Sequence, residues 1–195
     1  MLWEKYCMPD SILRHTKKVT KISVIIAEKL AKKGVGINTK LVEKAALLHD
    51  LFKICDFDDS MYNQVVNELI SKNILKKVPE KKLNHAKLAG IYFTEQYPKM
   101  AEVIAKHNYM AITRGFETWE EKVLYYADKR VMHDKIVSLK RRLAELHVRY
   151  GKKIKALSQQ DIRQIAVTDA QIVGLEANIF KKIGIKSLQI RDESV

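Results

Sequence analysis

The chain holds few cysteines, prolines and glycines: two, three and seven among 195 residues. Cys7 and Cys55 are too few for a disulfide framework and form no CxxC pair. A reducing cytosol is the simplest home for such a chain. So few turn-forming residues disfavour a many-stranded sandwich or barrel, which needs a turn about every ten residues. No long apolar run occurs: Val24, Ile25, Ile26 and Ala27 form one of the longest, far short of the roughly 20 residues of a membrane span. The opening Met1-Leu2-Trp3-Glu4-Lys5 has no signal-peptide core. A cytoplasmic protein without a membrane partner is the expectation. Internal repeats, low-complexity tracts and blocks of like charge are also missing.

What is present is globular. Hydrophobic residues make up 47% and charged residues 30% of the chain, which argues against wholesale disorder. The length suits one domain, expected over residues 1–155, with a helical extension over 156–195 that packs on the core or at a dimer interface. The formal net charge is +13, which favours polyanions such as nucleic acid, nucleotides or an acidic membrane. The lysines are spread along the whole chain, however, as on ordinary helix surfaces. Phosphate-bearing substrates gain more weight from this than a dedicated nucleic-acid groove.

Apolar spacing predicts an all-α fold. Ile12, Val19, Ile22, Ile26 and Leu30 recur on one helical face after Asp10 or Ser11 as N-cap, and the helix ends before Gly34. A second helix is expected from Asn38 or Thr39, with Leu41, Ala45, Leu48 and Phe52 inside. Further helices are predicted over 61–74, over 85–96 with Asn84 as cap, and over 99–107. Thr118 and Glu121 match a capping box that opens a helix to about Arg130. Asp134 then caps a helix closed by Gly151, and a long helix runs from Ser158 to Ile183 before Gly184. The segment 187–190 is at most a short strand.

Six histidines are few enough to take singly. His15 lies in register with Val19, Ile22 and Ile26, on the apolar face; alone, it reads as a core histidine. His49 and Asp50 follow directly on Ala45-Ala46-Leu47-Leu48. A carboxylate at the edge of a core needs a metal or a positive side chain, because burying it unpaired is costly. Asp128 closes the apolar run Val123-Leu124-Tyr125-Tyr126-Ala127 in the same way. Two histidines and two aspartates from three helices can enclose one divalent cation, and mixed imidazole and carboxylate ligation suits Mn, Fe, Co, Ni or Zn better than Ca. His85 and His107, each at a helix end, are candidates for a second metal or a phosphate. His133-Asp134 reads as a helix start, and His147 as a surface residue.

In this order the residues carry a resemblance. Leu47-Leu48-His49-Asp50-Leu51-Phe52-Lys53 resembles the LLHDIGK-type motif of the HD-domain metal-dependent phosphohydrolases. Arg14-His15-Thr16 with Val19, Asn84-His85-Ala86, Lys106-His107-Asn108 and Tyr126-Ala127-Asp128-Lys129 resemble its other islands, so the likeness spans about residues 10–150. The chain is most similar to small single-domain HDIG-type members, a group that includes symmetrical diadenosine tetraphosphate hydrolases. It departs at Phe52, where the family often has Gly or Ala; the ring either packs into the core or narrows the pocket.

The resemblance implies an HD-domain helical bundle and one or two divalent ions: Fe, Mn, Co, Ni or Zn, with Mg as a further option. His15, His49, Asp50 and Asp128 would hold the first, and Asp50 would bridge to a second at His85 and His107. A hydroxide formed there would attack phosphorus in line. Asp50 and Lys53 are the catalytic candidates. Lys53, Arg114 and Lys129 are candidates for substrate phosphates, and Arg130, Lys17 and Lys18 are further positive side chains that could contact them. The substrate class is a phosphorylated small molecule, a nucleotide or related phosphoester. The competing reading is a non-enzymatic basic module that binds nucleic acid or a nucleotide around a structural or vestigial metal site. A homodimer through the final helix is compatible with both.

Overall fold

The apolar stripes form helices for the reasons their spacing suggests, and a computed structural model shows how they assemble. It describes residues 2–154 and 158–192. Helix α1 (Leu2–Lys5) is a single turn. It seats the residue after it in the core: Tyr6 is fully buried, and its hydroxyl donates to Glu68 at 3.0 Å. Helix α2 (Asp10–Lys32) is capped one residue earlier than expected. Pro9 holds the extended backbone an N-cap needs, so no side-chain cap is used. Val19, Ile22, Ile26 and Leu30 are buried along its inner face.

Helix α3 (Thr39–Leu48) is capped by the Asn38 side chain, which accepts from the Leu41 N–H at 3.0 Å. Helix α4 (Asp59–Ser71) begins two residues earlier than the spacing predicts, because Asp58 caps it. Helices α5 (His85–Phe93) and α6 (Pro98–Ala105) form a tight pair. Gly90 allows this: a Cβ there would stand 2.8 Å from the Ala105 Cβ. Helix α7 (Trp119–Asp128) opens with the expected Thr118–Glu121 capping box. Helices α2, α3, α6 and α7 pack around one core of aliphatic and aromatic side chains.

After α7 the structure corrects the expectation. Asp134 does not cap a helix. Strands β1 (Val131–Met132) and β2 (Lys135–Ile136) form a small hairpin. His133, at its turn, adopts a positive φ of 57°, a conformation that such two-residue turns demand. Helix α8 (Leu139–Ile154) starts only after this hairpin and continues past Gly151. The expected boundary at 155/156 falls outside the described residues. Helix α9 (Gln159–Ile183) is capped by Ser158 and ends at Gly184 in the left-handed conformation, φ 75°. It lies against α2 and α7, burying Ile172, Leu175 and Ile179. Residues 187–189 make a 3-10 turn, not a strand.

Two buried side chains explain how the periphery is fixed. Arg130 is 2% exposed, and every nitrogen of its guanidinium donates at least one hydrogen bond. Nε donates to the Val137 carbonyl, Nη1 to the Tyr126 hydroxyl and the Ser187 carbonyl, and Nη2 to the Ile190 carbonyl. It ties the hairpin to the C-terminal turn and is no phosphate contact. Phe52 is fully buried, with its ring edge-on to Tyr6 at 4.8 Å and to Tyr92 at 5.3 Å. The ring belongs to the core and does not line the site.

Candidate metal centre

The bundle brings helix ends to one place. His15 comes from the first half of α2, His49 and Asp50 from just past α3, and Asp128 from the last residue of α7. His85 is the first residue of α5, and His107 stands two residues beyond α6. Five of the six candidate ligands, His15, Asp50, His85, His107 and Asp128, line a cavity of about 940 Å³, and the sixth, His49, is fully buried beside Asp50 and Asp128.

Each imidazole is oriented through Nδ1. A backbone carbonyl only accepts hydrogen bonds, so the nitrogen facing it carries the proton. The Nδ1–H of His49 donates to the Ala46 carbonyl at 2.8 Å, and that of His107 to the Ile104 carbonyl at 2.6 Å. His15 Nδ1–H donates to the His133 carbonyl at 2.9 Å, the one the hairpin turn aims inward. His85 Nδ1–H donates to Asp56 Oδ2 at 2.6 Å. Four Nε2 atoms are thereby directed at Asp50 and Asp128. Carbonyl or carboxylate support of this kind is the usual outer shell of a metal-ligating histidine.

The carboxylates divide the imidazoles into two pairs. Asp50 Oδ2 faces His15 Nε2 at 3.9 Å and His49 Nε2 at 3.6 Å. Its other oxygen, Oδ1, faces His85 Nε2 at 3.0 Å and His107 Nε2 at 3.6 Å. Asp128 Oδ1 lies 3.0 Å from His15 Nε2 and 3.8 Å from His49 Nε2. Among the described residues two groups have ligand atoms close enough to surround one ion: His15, His49 and Asp128, and His49, Asp50 and His107.

A divalent cation fits this donor set. His49 Nε2 is fully buried with no hydrogen-bond partner, which is costly for a lone pair in a protein interior. His85 and His107 point their Nε2 atoms at each other across 3.0 Å. Such an approach needs a positive species, a proton or a metal, beside it.

The electrostatics agree. Burial pushes His49 down to about 4, so its ring is neutral near pH 7. Burial also lowers His107. For Asp50, burial alone would raise the carboxyl, but the neighbouring imidazoles of His49, His107 and His85 outweigh it and hold it well below the usual carboxylate range. For Asp128, burial is likewise outweighed, here by Lys129 and His15. His15 is raised, because its bond to Asp128 overcomes burial, and His85 is raised by Asp50 and Asp56.

The remaining expected residues fall differently. Lys53 lies on the cavity wall and donates to Asp56 Oδ2 at 3.1 Å. Burial would lower it, but Asp50 and Asp56 raise it, so it stays charged. Lys129 is buried; its Nζ donates to Asp128 Oδ2 at 2.6 Å and to the His107 carbonyl at 3.2 Å. It steadies two of the ligands. Arg114 is exposed and does not line the cavity. Asp56, not among the expected site residues, grips His85 at both the ring and the backbone N–H (3.1 Å). The available signal was its position three residues after Lys53, in the turn that succeeds the His-Asp pair.

The sequence matches the HD domain family over residues 12–169. No curated protein and no solved structure matches the chain. Among the described residues no helix is long and apolar enough to cross a membrane. With the family match covering most of its length and a His/Asp cluster able to hold metal, the chain belongs to the HD-domain family, whose members are generally metal-dependent phosphohydrolases.

Proposed function

We propose that this protein hydrolyses a phosphoester, a nucleotide or related compound, with the help of one or two divalent transition metals. The observation that carries the reading is the convergence of four Nδ1-anchored imidazoles on the two oxygens of Asp50 and on Asp128. His15, His49, Asp50 and Asp128 would hold one ion. Asp50 would share its second oxygen with another at His85 and His107. When bound, such ions acidify water and neutralise phosphate charge.

The chain's own residues supply the rest. Asp50 is the shared anionic ligand, and its depressed pKa keeps it ionised throughout the neutral range. Lys129 holds Asp128 in place. Lys53, charged and on the cavity wall, is positioned to donate to a substrate phosphate oxygen while it braces Asp56. Ile12, Ile54 and Leu146 add apolar surface to the cavity lining. Arg114 stands outside this arrangement.

The test is metal content by plasma mass spectrometry, for wild type purified without chelator beside Asp50→Ala. One or two equivalents in wild type, lost in the variant, are expected. Phosphate release from a panel of nucleotides and phosphodiesters is then measured. No metal in wild type, even after reloading with Mn, refutes the reading and leaves the basic binding module. That module would announce itself by nucleic-acid affinity that falls steeply with salt.

A further inference from the structure

The cavity has a second, cationic wall that none of the metal candidates explains. Arg142, His147 and Arg149 of α8 all line it, in a helix that begins after the last expected metal ligand. Arg142 is 8% exposed. Its Nε is buried without a hydrogen-bond partner, and among the described residues its guanidinium is bound only by Glu145, through Nη1. Arg149 binds the other oxygen of the same carboxylate, Nη2 to Oε1 at 2.5 Å. One glutamate thus splays two guanidiniums along one edge of the cavity, and the pair keeps a positive charge.

Arg130 shows what a purely structural buried arginine looks like in this fold. All three of its nitrogens donate to carbonyl or hydroxyl oxygens. Arg142 is nearly as buried and far from satisfied. A local pair three residues apart is weak compensation for desolvating a guanidinium. A guanidinium fork with free donors on a cavity wall matches the oxygens of a phosphate. His147 does not compete for this role, since its Nε2 lies 3.0 Å from Asp169 Oδ2.

We infer that Arg142, assisted by Arg149, is a specificity residue that binds a second phosphate of the substrate, one that is not cleaved. This deepens the proposed function and rests on it. A substrate with one phosphate engages only the histidine–aspartate floor, whereas a substrate carrying further phosphates engages both walls. The preferred class is therefore phosphoesters with more than one phosphate group.

The test uses inorganic tripolyphosphate as the probe, with binding measured by calorimetry on the full chain. Arg142→Gln is expected to weaken binding at least tenfold, and Arg142→Lys to restore only part of it, because an ammonium lacks the fork. Metal content and turnover of p-nitrophenyl phosphate, which has a single phosphate, are expected to stay within twofold of wild type. Arg149→Gln, at a more exposed position, reports on the same seat should Arg142→Gln fail to fold. Tripolyphosphate affinity unchanged in Arg142→Gln, or in Arg149→Gln if that variant must stand in, overturns the inference, as does a wild type that does not bind the probe. Binding is read independently of hydrolysis, so a protein that binds tripolyphosphate through Arg142 but takes up no metal refutes the phosphohydrolase reading alone.

Discussion

Replacing Asp56 by Asn changes one atom type and leaves the shape of the side chain intact, yet it removes the support of His85. Asp56 accepts two hydrogen bonds from that residue, one on each oxygen: from the backbone N–H at 3.1 Å and from Nδ1–H at 2.6 Å. Asparagine has a single acceptor oxygen, so one of the two donors loses its partner, and the surviving bond is no longer charge-assisted. Asp56 is the more acidic for these contacts. Burial would raise it, but His85 and Lys53 bring it from 3.8 to about 2. At about 1.4 kcal/mol per pH unit that shift is worth at most about 2.5 kcal/mol. The side chain is 23% exposed, and solvent screening reduces the figure to roughly 1 kcal/mol. The orphaned donor adds about 1 kcal/mol more. A supporting contact of this kind typically governs metal affinity by about 10- to 100-fold, and the partial substitution belongs at the lower end. Metal-free protein titrated with Mn against a fluorescent chelator should therefore show about tenfold weaker binding in Asp56→Asn. Asp59→Asn, an exposed acid paired with Lys82, serves as the control. Because the folded carboxyl is the stronger acid, its contribution to stability is present above about pH 4 and is lost towards pH 2. Urea denaturation should thus separate wild type from variant at pH 5 and bring them together at pH 2. Less than a twofold change in Mn affinity, or an equal loss in Asp59→Asn, would refute the role given to Asp56.

Metal uptake should strengthen with pH. His15 and His85 have raised pKa values, so binding must displace their protons; calorimetry in buffers of differing ionisation heat should show proton release and an affinity that climbs from pH 6 to 8, and a flat profile contradicts this. Phe52→Ala empties a fully buried ring site between Tyr6 and Tyr92, and should cost about 3–5 kcal/mol in denaturant titrations with metal stoichiometry preserved in the protein that remains folded. Arg130→Leu strips the Val137, Ser187 and Ile190 carbonyls of their donor. A loss of about 3 kcal/mol or more is expected, with hydrogen exchange accelerated first in residues 187–190.

Much of this was legible in the chain because helices announce themselves locally. The Asn38, Asn84 and Thr118 caps and the Gly184 terminus occupy their expected places. His49-Asp50 and Asp128 stand out because an acid that closes an apolar run must solve a burial problem, whereas His15, His85 and His107 join them as one ligand set through the resemblance to the HD-domain family. Elements that depend on distant partners were not legible. The hairpin at Val131–Ile136 is too short for any alternating pattern, and its turn conformation at His133 is offset by a hydrogen bond to His15, 118 residues away. Asp56 escaped for a similar reason, since its partner His85 stands 29 residues on. Lys129 and Arg130 are adjacent and looked alike; only packing separates them, one turned to Asp128 and the other to the C-terminal turn.

The contact at Gly90 reaches further than its size suggests. Helix α5 begins with His85, and α6 leads directly into His107, so the pair is an antiparallel clasp whose open end carries the two imidazoles. Its width is set where Gly90 lies against Ala101 and Ala105. The span available to an ion between His85 and His107 is thus gauged by a missing methyl group little more than a helical turn away. The fold works there as a calliper, in which backbone proximity in the core sets the aperture between two side chains at the edge.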